Sequence, residues 1–196
     1  PIAGVLVLTV SGSVTNAQLE AGAFSTSYIP TTTATVTRSA DVASISGSNF
    51  SSWYRQDEGS MFTEAQGTSF VTGAVRRYFE IGDGTANNRI LLGYSATNAV
   101  RGITNTAGVL QTNISATATP ANMSNFAFAF AANNAQVAAN GLLGTEDTSV
   151  TLPTVSTLYI GGEPVLGATT TLNGTIQRLT YWPTRLPNST IQAVTQ

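Results

Sequence analysis

The stretch Asn125-Phe-Ala-Phe-Ala-Phe-Ala131 constrains this chain more than any other. Successive side chains on a β-strand point to opposite faces, so Phe126, Phe128 and Phe130 stand together on one face and the alanines on the other. A strand face carrying three aromatic rings has to be buried against a second layer. The minimum architecture is therefore a sheet packed on another element.

The rest of the chain repeats the theme. Short runs of alternating or β-branched residues occupy 42–45, 60–64, 75–81, 89–94, 100–104, 109–114, 135–140, 158–160 and 174–182, and helical periodicity is nearly absent. Turn formers separate them: Gly82-Asp83-Gly84 and Ala86-Asn87-Asn88 bracket one connection, Asn105-Thr106-Ala107-Gly108 closes another, and Asn133-Asn134 and Gly141 flank the run over 135–140. In the run 174–182, Ile176 is out of phase with Leu179 and Tyr181, which predicts a bulge near Gln177 and Arg178. After Pro187 the spacing of Ile191 and Val194 predicts a short helix with both residues facing inward. Another run covers 5–10, and the Thr- and Ser-rich segment 25–37 around Pro30 reads as an extended connector. With no methionine before Pro1, the chain reads as processed or as beginning inside a longer polypeptide.

Composition narrows the chemistry. A hydrophobic share of 42% supplies a core, whereas only 9% of residues are charged, so the polar surface consists of Thr, Ser, Asn, Gln and Gly. The basic residues are eight scattered arginines and the net charge is -2, which offers no footprint for a phosphate backbone and argues against nucleic acid. The apolar start is too short to span a bilayer and lacks a positive leader region, which argues against membrane insertion. Cysteine is absent, and with it disulfides and thiolate metal sites. Histidine is absent too, which removes the usual general base, pH switch and metal ligand together.

Several stretches resemble one known fold family. Ala135-Gln-Val-Ala-Ala-Asn-Gly141, Leu158-Tyr-Ile-Gly-Gly162 and Leu172-Asn-Gly-Thr-Ile-Gln-Arg-Leu-Thr-Tyr-Trp-Pro183 with the helix beyond them resemble, in order and spacing, the closing strands of the concanavalin A-like, laminin-G-type jelly roll. Gln18-Leu-Glu-Ala-Gly22 running on to Thr32, Val36-Thr-Arg-Ser-Ala-Asp-Val42 and Trp53-Tyr-Arg-Gln-Asp-Glu-Gly59 are similar to the junction and opening of this module in tailed-bacteriophage virion proteins. The resemblance implies an all-β fold, a concanavalin A-like jelly-roll β-sandwich with a short C-terminal helix. It places the closing strands of an upstream β domain and a linker over 1–30, and the jelly roll over 31–196. It further implies a non-enzymatic virion structural protein, of tail-fibre, tail-associated or head-decoration type, on the surface of an extracellular particle. Such a protein would act in host attachment by glycan binding or in particle stabilisation, with other virion proteins and copies of itself as partners. The alternative is a carbohydrate-binding module of a secreted bacterial protein, and a glycan hydrolase comes third.

Glycoside hydrolysis needs two carboxylates about 5 to 9.5 Å apart across the scissile bond. Glu80 and Asp83 have the wrong parity for one strand face, Asp57 and Glu58 are adjacent, and Glu64 is alone, so no pair matches. Serine nucleophiles lack a histidine to activate them. Calcium is the one ion the family implies, and Asp41, Asp57, Asp83 and Asp147 fall in or near predicted loops, with Asp57 and Asp83 the foremost candidates; aspartate is equally favoured in turns as a local cap. For a sugar, the aromatic candidates by type are Trp53, Tyr54, Tyr78, Tyr94, Tyr159 and Trp182. Tyr94, beside the polar run 95–98, is singled out together with Asn98.

Overall fold

The computed structural model describes residues 9, 11–16, 18–19, 28–31, 34–36, 42–67, 75–95, 99–119, 122–162 and 170–196. The chain separates into two units, Pro1–Ala40 and Asp41–Gln196. In the first, the Ile29 N–H donates to Gln18 Oε1 at 2.7 Å. Nearly all of the run expected over 5–10 lies outside the described residues, as does much of the connector over 25–37.

The second unit is a two-sheet antiparallel sandwich. Its elements in chain order are β1 (Ala43–Ser46), α1 (Ser48–Ser51), β2 (Glu58–Gly67), β3 (Val75–Gly82), β4 (Arg89–Ser95), β5 (Ala99–Thr106), β6 (Val109–Thr117), β7 (Ser124–Ala131), β8 (Asn134–Ala139), β9 (Leu142–Leu143), β10 (Thr157–Ile160), β11 (Gly174–Trp182) and α2 (Asn188–Val194). One sheet has the order β1-β10-β3-β4-β5-β6 and the other β11-β2-β7-β8-β9. Each expected run in this unit is a strand, with ends moved by a few residues.

The core lies between the inner faces. Phe126, Phe128 and Phe130 of β7 are fully buried and meet Ile90, Leu92 and Tyr94 of β4 and Tyr78, Phe79 and Ile81 of β3. The Phe126 ring stacks on Tyr78 with centroids 4.9 Å apart. Burying each such side chain stabilises by about 1.5–3 kcal/mol. The alternate positions of β7 and β8 face outward, where Ala127, Ala129 and Ala138 leave room for α2 to settle with Ile191 and Leu186 against them. The helix is tied down at its end, since Thr195 Oγ1 accepts from Gly141 N–H at 3.2 Å and Gln192 Nε2 donates to Gly141 O at 2.8 Å. Ile191 faces inward as expected, but Val194 is exposed, and the inward neighbour of Ile191 is the buried Thr195 one residue further on.

Two bulges adjust the alternation. In β11 the register against β2 shifts between Ile176 and Arg178, where the sequence predicts it. In β3 it shifts between Arg77 and Phe79, so that Tyr78 and Phe79 both point into the core and both are fully buried. The second bulge was not expected, and it changes what the outer face carries.

The turns follow their residues. Asn140-Gly141, with φ 48 and 76°, joins β8 to β9 in the twisted two-residue form that Asn-Gly prefers. Ala107-Gly108 makes the same turn between β5 and β6, and Ala107 has φ 50°, a conformation that asparagine tolerates better than alanine does. Ala107→Asn is therefore expected to stabilise the unit by up to ~1 kcal/mol. The check is a denaturant midpoint that rises at constant m; a fall would show that the turn cannot accept the larger side chain. The β7–β8 turn lies one residue earlier than expected, on Ala132 and Asn133, because Ala131 already pairs with Asn134.

Candidate functional site

Antiparallel partners share a face, so the register shows what the outer surface of the six-stranded sheet presents. One row across it runs Thr157, Gly82, Arg89, Asn105, and the next runs Ser44, Tyr159, Glu80, Leu91, Ile103, Asn113. A third runs Arg77, Gly93, Arg101, Ser115. The inward neighbours of these positions, Ile81, Ile90, Leu92 and Leu158, belong to the core.

The β3 bulge builds the centre of this face. On an unbroken strand Arg77 and Glu80, three residues apart, would point to opposite sides. The extra residue puts both outside, where Arg77 Nη1 lies 2.6 Å from Glu80 Oε2, and the two side chains are only 5% and 1% exposed. Around this buried pair stand groups that reach solvent. Tyr159, Arg89 and Asn105 are each half-buried and flank Gly82, which contributes no side chain to the surface. Arg89 Nε donates to Asn105 Oδ1 at 3.3 Å, which fixes both side chains.

The rim is the 82–88 loop. Asp83 Oδ1 accepts from the Thr85 N–H at 2.9 Å and from Thr85 Oγ1 at 2.6 Å, and Asp83 Oδ2 accepts from Asn88 Nδ2 at 2.8 Å. The loop is stitched to the neighbouring turn as Ala107 N–H donates to Asn88 Oδ1 and Gly108 N–H to Asn87 O. Burial pushes the Asp83 carboxyl up, but hydrogen bonds from Thr85 and Asn88 outweigh it and hold the carboxyl below the usual carboxylate range. A lowered value means that this loop's contribution to stability is present above the unfolded pKa and is lost as the pH falls through the folded one.

The expected site residues fare differently. Tyr94 is 1% exposed, with its ring 5.5 Å from that of Tyr78 and tilted against it. It shares strand parity with Ile90 and Leu92, so it is a core residue and cannot offer its face to a sugar. Asn98 and Asp41 lie outside the described residues. Asp57 has its oxygens on the Arg55 guanidinium, whose hydrogen bond holds the carboxyl below the usual range. Asp147 accepts from Thr112 Oγ1 at 2.6 Å and from the Ser149 N–H at 2.9 Å.

These carboxylates do not fit a calcium ion: Asp57, Asp83 and Asp147 are spent on separate local partners, and among the described residues no three acidic groups come together. They do not fit two-carboxylate hydrolysis either. Glu80 is locked to Arg77, and Asp57 and Asp83 are held ionised where a general acid must keep its proton. Of the remaining aromatic candidates, Tyr54 stacks with Phe50 and Tyr181 while Trp53 meets the same two rings edge-on, all in one cluster; Tyr78 is core, and Trp182 is half-buried on the outer side of the other sheet. Tyr159 is the one set among half-exposed polar groups on the six-stranded sheet.

No family model matches the chain, and no curated protein matches it in sequence. Solved structures do match in shape. The CBM40 domain of the Ruminococcus gnavus IT-sialidase, bound to α2,3-sialyllactose, superposes with a TM-score of 0.61 at 18% identity, over 72% of this chain and 84% of that one. A laminin α1 fragment from mouse, domains LG4-5, gives 0.58 at 11% identity, over 74% and 40%. The heptameric SAP-like pentraxin of Limulus polyphemus gives 0.55 at 13% identity, over 71% and 70%. At these identities the likeness concerns the fold alone. That fold is the concanavalin A-like, laminin-G-type jelly roll with a short C-terminal helix.

Proposed function

We propose that this chain is a non-catalytic carbohydrate-binding module whose ligand lies on the outer face of the six-stranded sheet, across Tyr159, Gly82, Arg89 and Asn105. One juxtaposition carries the reading: a half-buried aromatic ring, a glycine floor, a guanidinium and an amide stand together on one rigid sheet face. A pyranose has an apolar ring face and a polar edge, and it needs an aromatic to stack on and fixed donors and acceptors beside it. The opposite side of the sandwich is occupied by α2 on its alanine floor, which leaves the six-stranded sheet as the broad face. The sialyllactose complexes of the matched CBM40 domain support the class of ligand.

A glycan array probed with the full chain tests this. Binding in the micromolar-to-millimolar range is expected, and Tyr159→Ala should weaken every hit at least about tenfold, because an aromatic anchor in a binding site contributes roughly 1.4 kcal/mol or more. An array without hits would remove the reading. Hits indifferent to Tyr159 would move the site elsewhere. The surface of a phage particle is proposed as the location on the sequence resemblance of 18–32, 36–42 and 53–59 alone, with attachment as the role there. Immunogold labelling of purified particles is expected to show the module, and unlabelled particles would remove that location.

A further inference from the structure

From the charges on this face we infer that the ligand is an acidic glycan, and that Arg101 receives a sugar carboxylate; the inference rests on the glycan-binding reading above. The chain as a whole is acidic, with a net charge of -2, and contains no lysine or histidine. Yet the register gathers Arg77, Arg89 and Arg101 on one sheet surface, against a single carboxylate on the sheet, Glu80, and Asp83 in the rim loop. Arg77 is neutralised by Glu80. Asp83 is consumed by Thr85 and Asn88, and Arg89 is held by Asn105.

Arg101 differs from these. Among the described residues its guanidinium has neither a carboxylate nor a hydrogen-bond partner, and its Nε is buried. The side chain is half-buried in the row Arg77, Gly93, Arg101, Ser115, with the exposed Ser115 on one flank and, on the other, Gly93, over which Arg76 O and the Val75 side chain close the surface. A buried donor without an acceptor is unfavourable until an oxygen reaches it, and a planar guanidinium matches a carboxylate through two parallel hydrogen bonds. The next positions along the strand are Ile103 and then Asn105 beside Arg89, so Arg101 lies about 13 Å along β5 from the Tyr159 and Arg89 end. An oligosaccharide anchored at Tyr159 and running along the direction of β5 would bring an acidic unit to Arg101.

The test compares carboxylated oligosaccharides on the array with the same compounds after their carboxyls have been reduced to primary alcohols. Reduction is expected to weaken binding roughly 10–100-fold, the range of a charge-assisted pair, and added salt should weaken the carboxylated ligands selectively. Arg101→Gln should reproduce the loss with an unchanged thermal midpoint, and Arg101→Lys, which keeps the charge without the planar fork, should fall between. Equal binding of neutral and carboxylated sugars would overturn the inference and leave the glycan-binding reading intact. The same holds if Arg101→Gln and Arg101→Lys both bind carboxylated ligands like the unaltered chain. An array with no hits of either kind would remove both.

Discussion

Phe128→Ala is expected to cost about 3–5 kcal/mol of folding stability. The ring is fully buried, stands in the middle of the β7 row with Phe130 at 5.8 Å between centroids, and reaches across to the other sheet. There it lies over Gly102 of β5, where a methyl group would come within 2.6 Å of it. The ring thus fills a space that the opposing strand has vacated. Removing it leaves a void with a glycine at its far wall, and two sheets held by their ladders cannot close it. Urea titration should show a lower midpoint at unchanged m, and the thermal midpoint should drop by roughly 10–15 °C. A loss below about 1 kcal/mol would falsify the assignment of β7 as the centre of the core. The converse substitution, Gly102→Ala, should also destabilise, because the added methyl meets the Phe128 ring.

Period-two alternation made this row legible from the residues alone, and it also contained information that local polarity obscured. Ile90, Leu92 and Tyr94 share parity, so Tyr94 belongs inside; the polar run beside it suggested a surface position only because neighbours in sequence were weighed above neighbours on the face. The same rule exposes Tyr159, which sits between Leu158 and Ile160 and so must point away from the core they enter. The bulge in β11 was readable because Ile176 falls out of phase with Leu179 and Tyr181. The bulge in β3 left a comparable trace, two adjacent aromatics, Tyr78 and Phe79, between Arg77 and Glu80. What no local pattern could reveal is the row Arg77, Gly93, Arg101. It depends on how three strands are set in register, and a slip of one residue would turn each arginine to the other face. The insertion of β10 between β1 and β3, which brings Tyr159 beside Glu80, joins segments far apart in the chain and is fixed by the packing of the whole sandwich.

Glu80→Ala is the companion test on the outer face, with an expected cost of about 3–5 kcal/mol, comparable to that of Phe128→Ala. The reason differs. Arg77 and Glu80 are 5% and 1% exposed, so deleting the carboxylate strands a guanidinium where water cannot solvate it. The attraction within the pair largely offsets the desolvation of both ions, so the intact pair contributes far less than its disruption costs. Replacing both partners by apolar residues of similar size, Arg77→Met with Glu80→Leu, should therefore recover most of the stability lost in either single variant. A double-mutant cycle from urea midpoints measures this, and additive losses would show the two side chains to be independent. The exposed pair Arg55 and Asp57, at 47% and 68%, is the control, where the same deletion should leave the midpoint nearly unmoved because solvent takes over each charge. The contrast also bears on binding. Glu80 cancels Arg77, so the positive charge offered to a ligand at that end of the face is that of Arg101. The Met–Leu variant, stable and with that end's net charge unaltered, should still bind the glycans that Arg101→Gln loses.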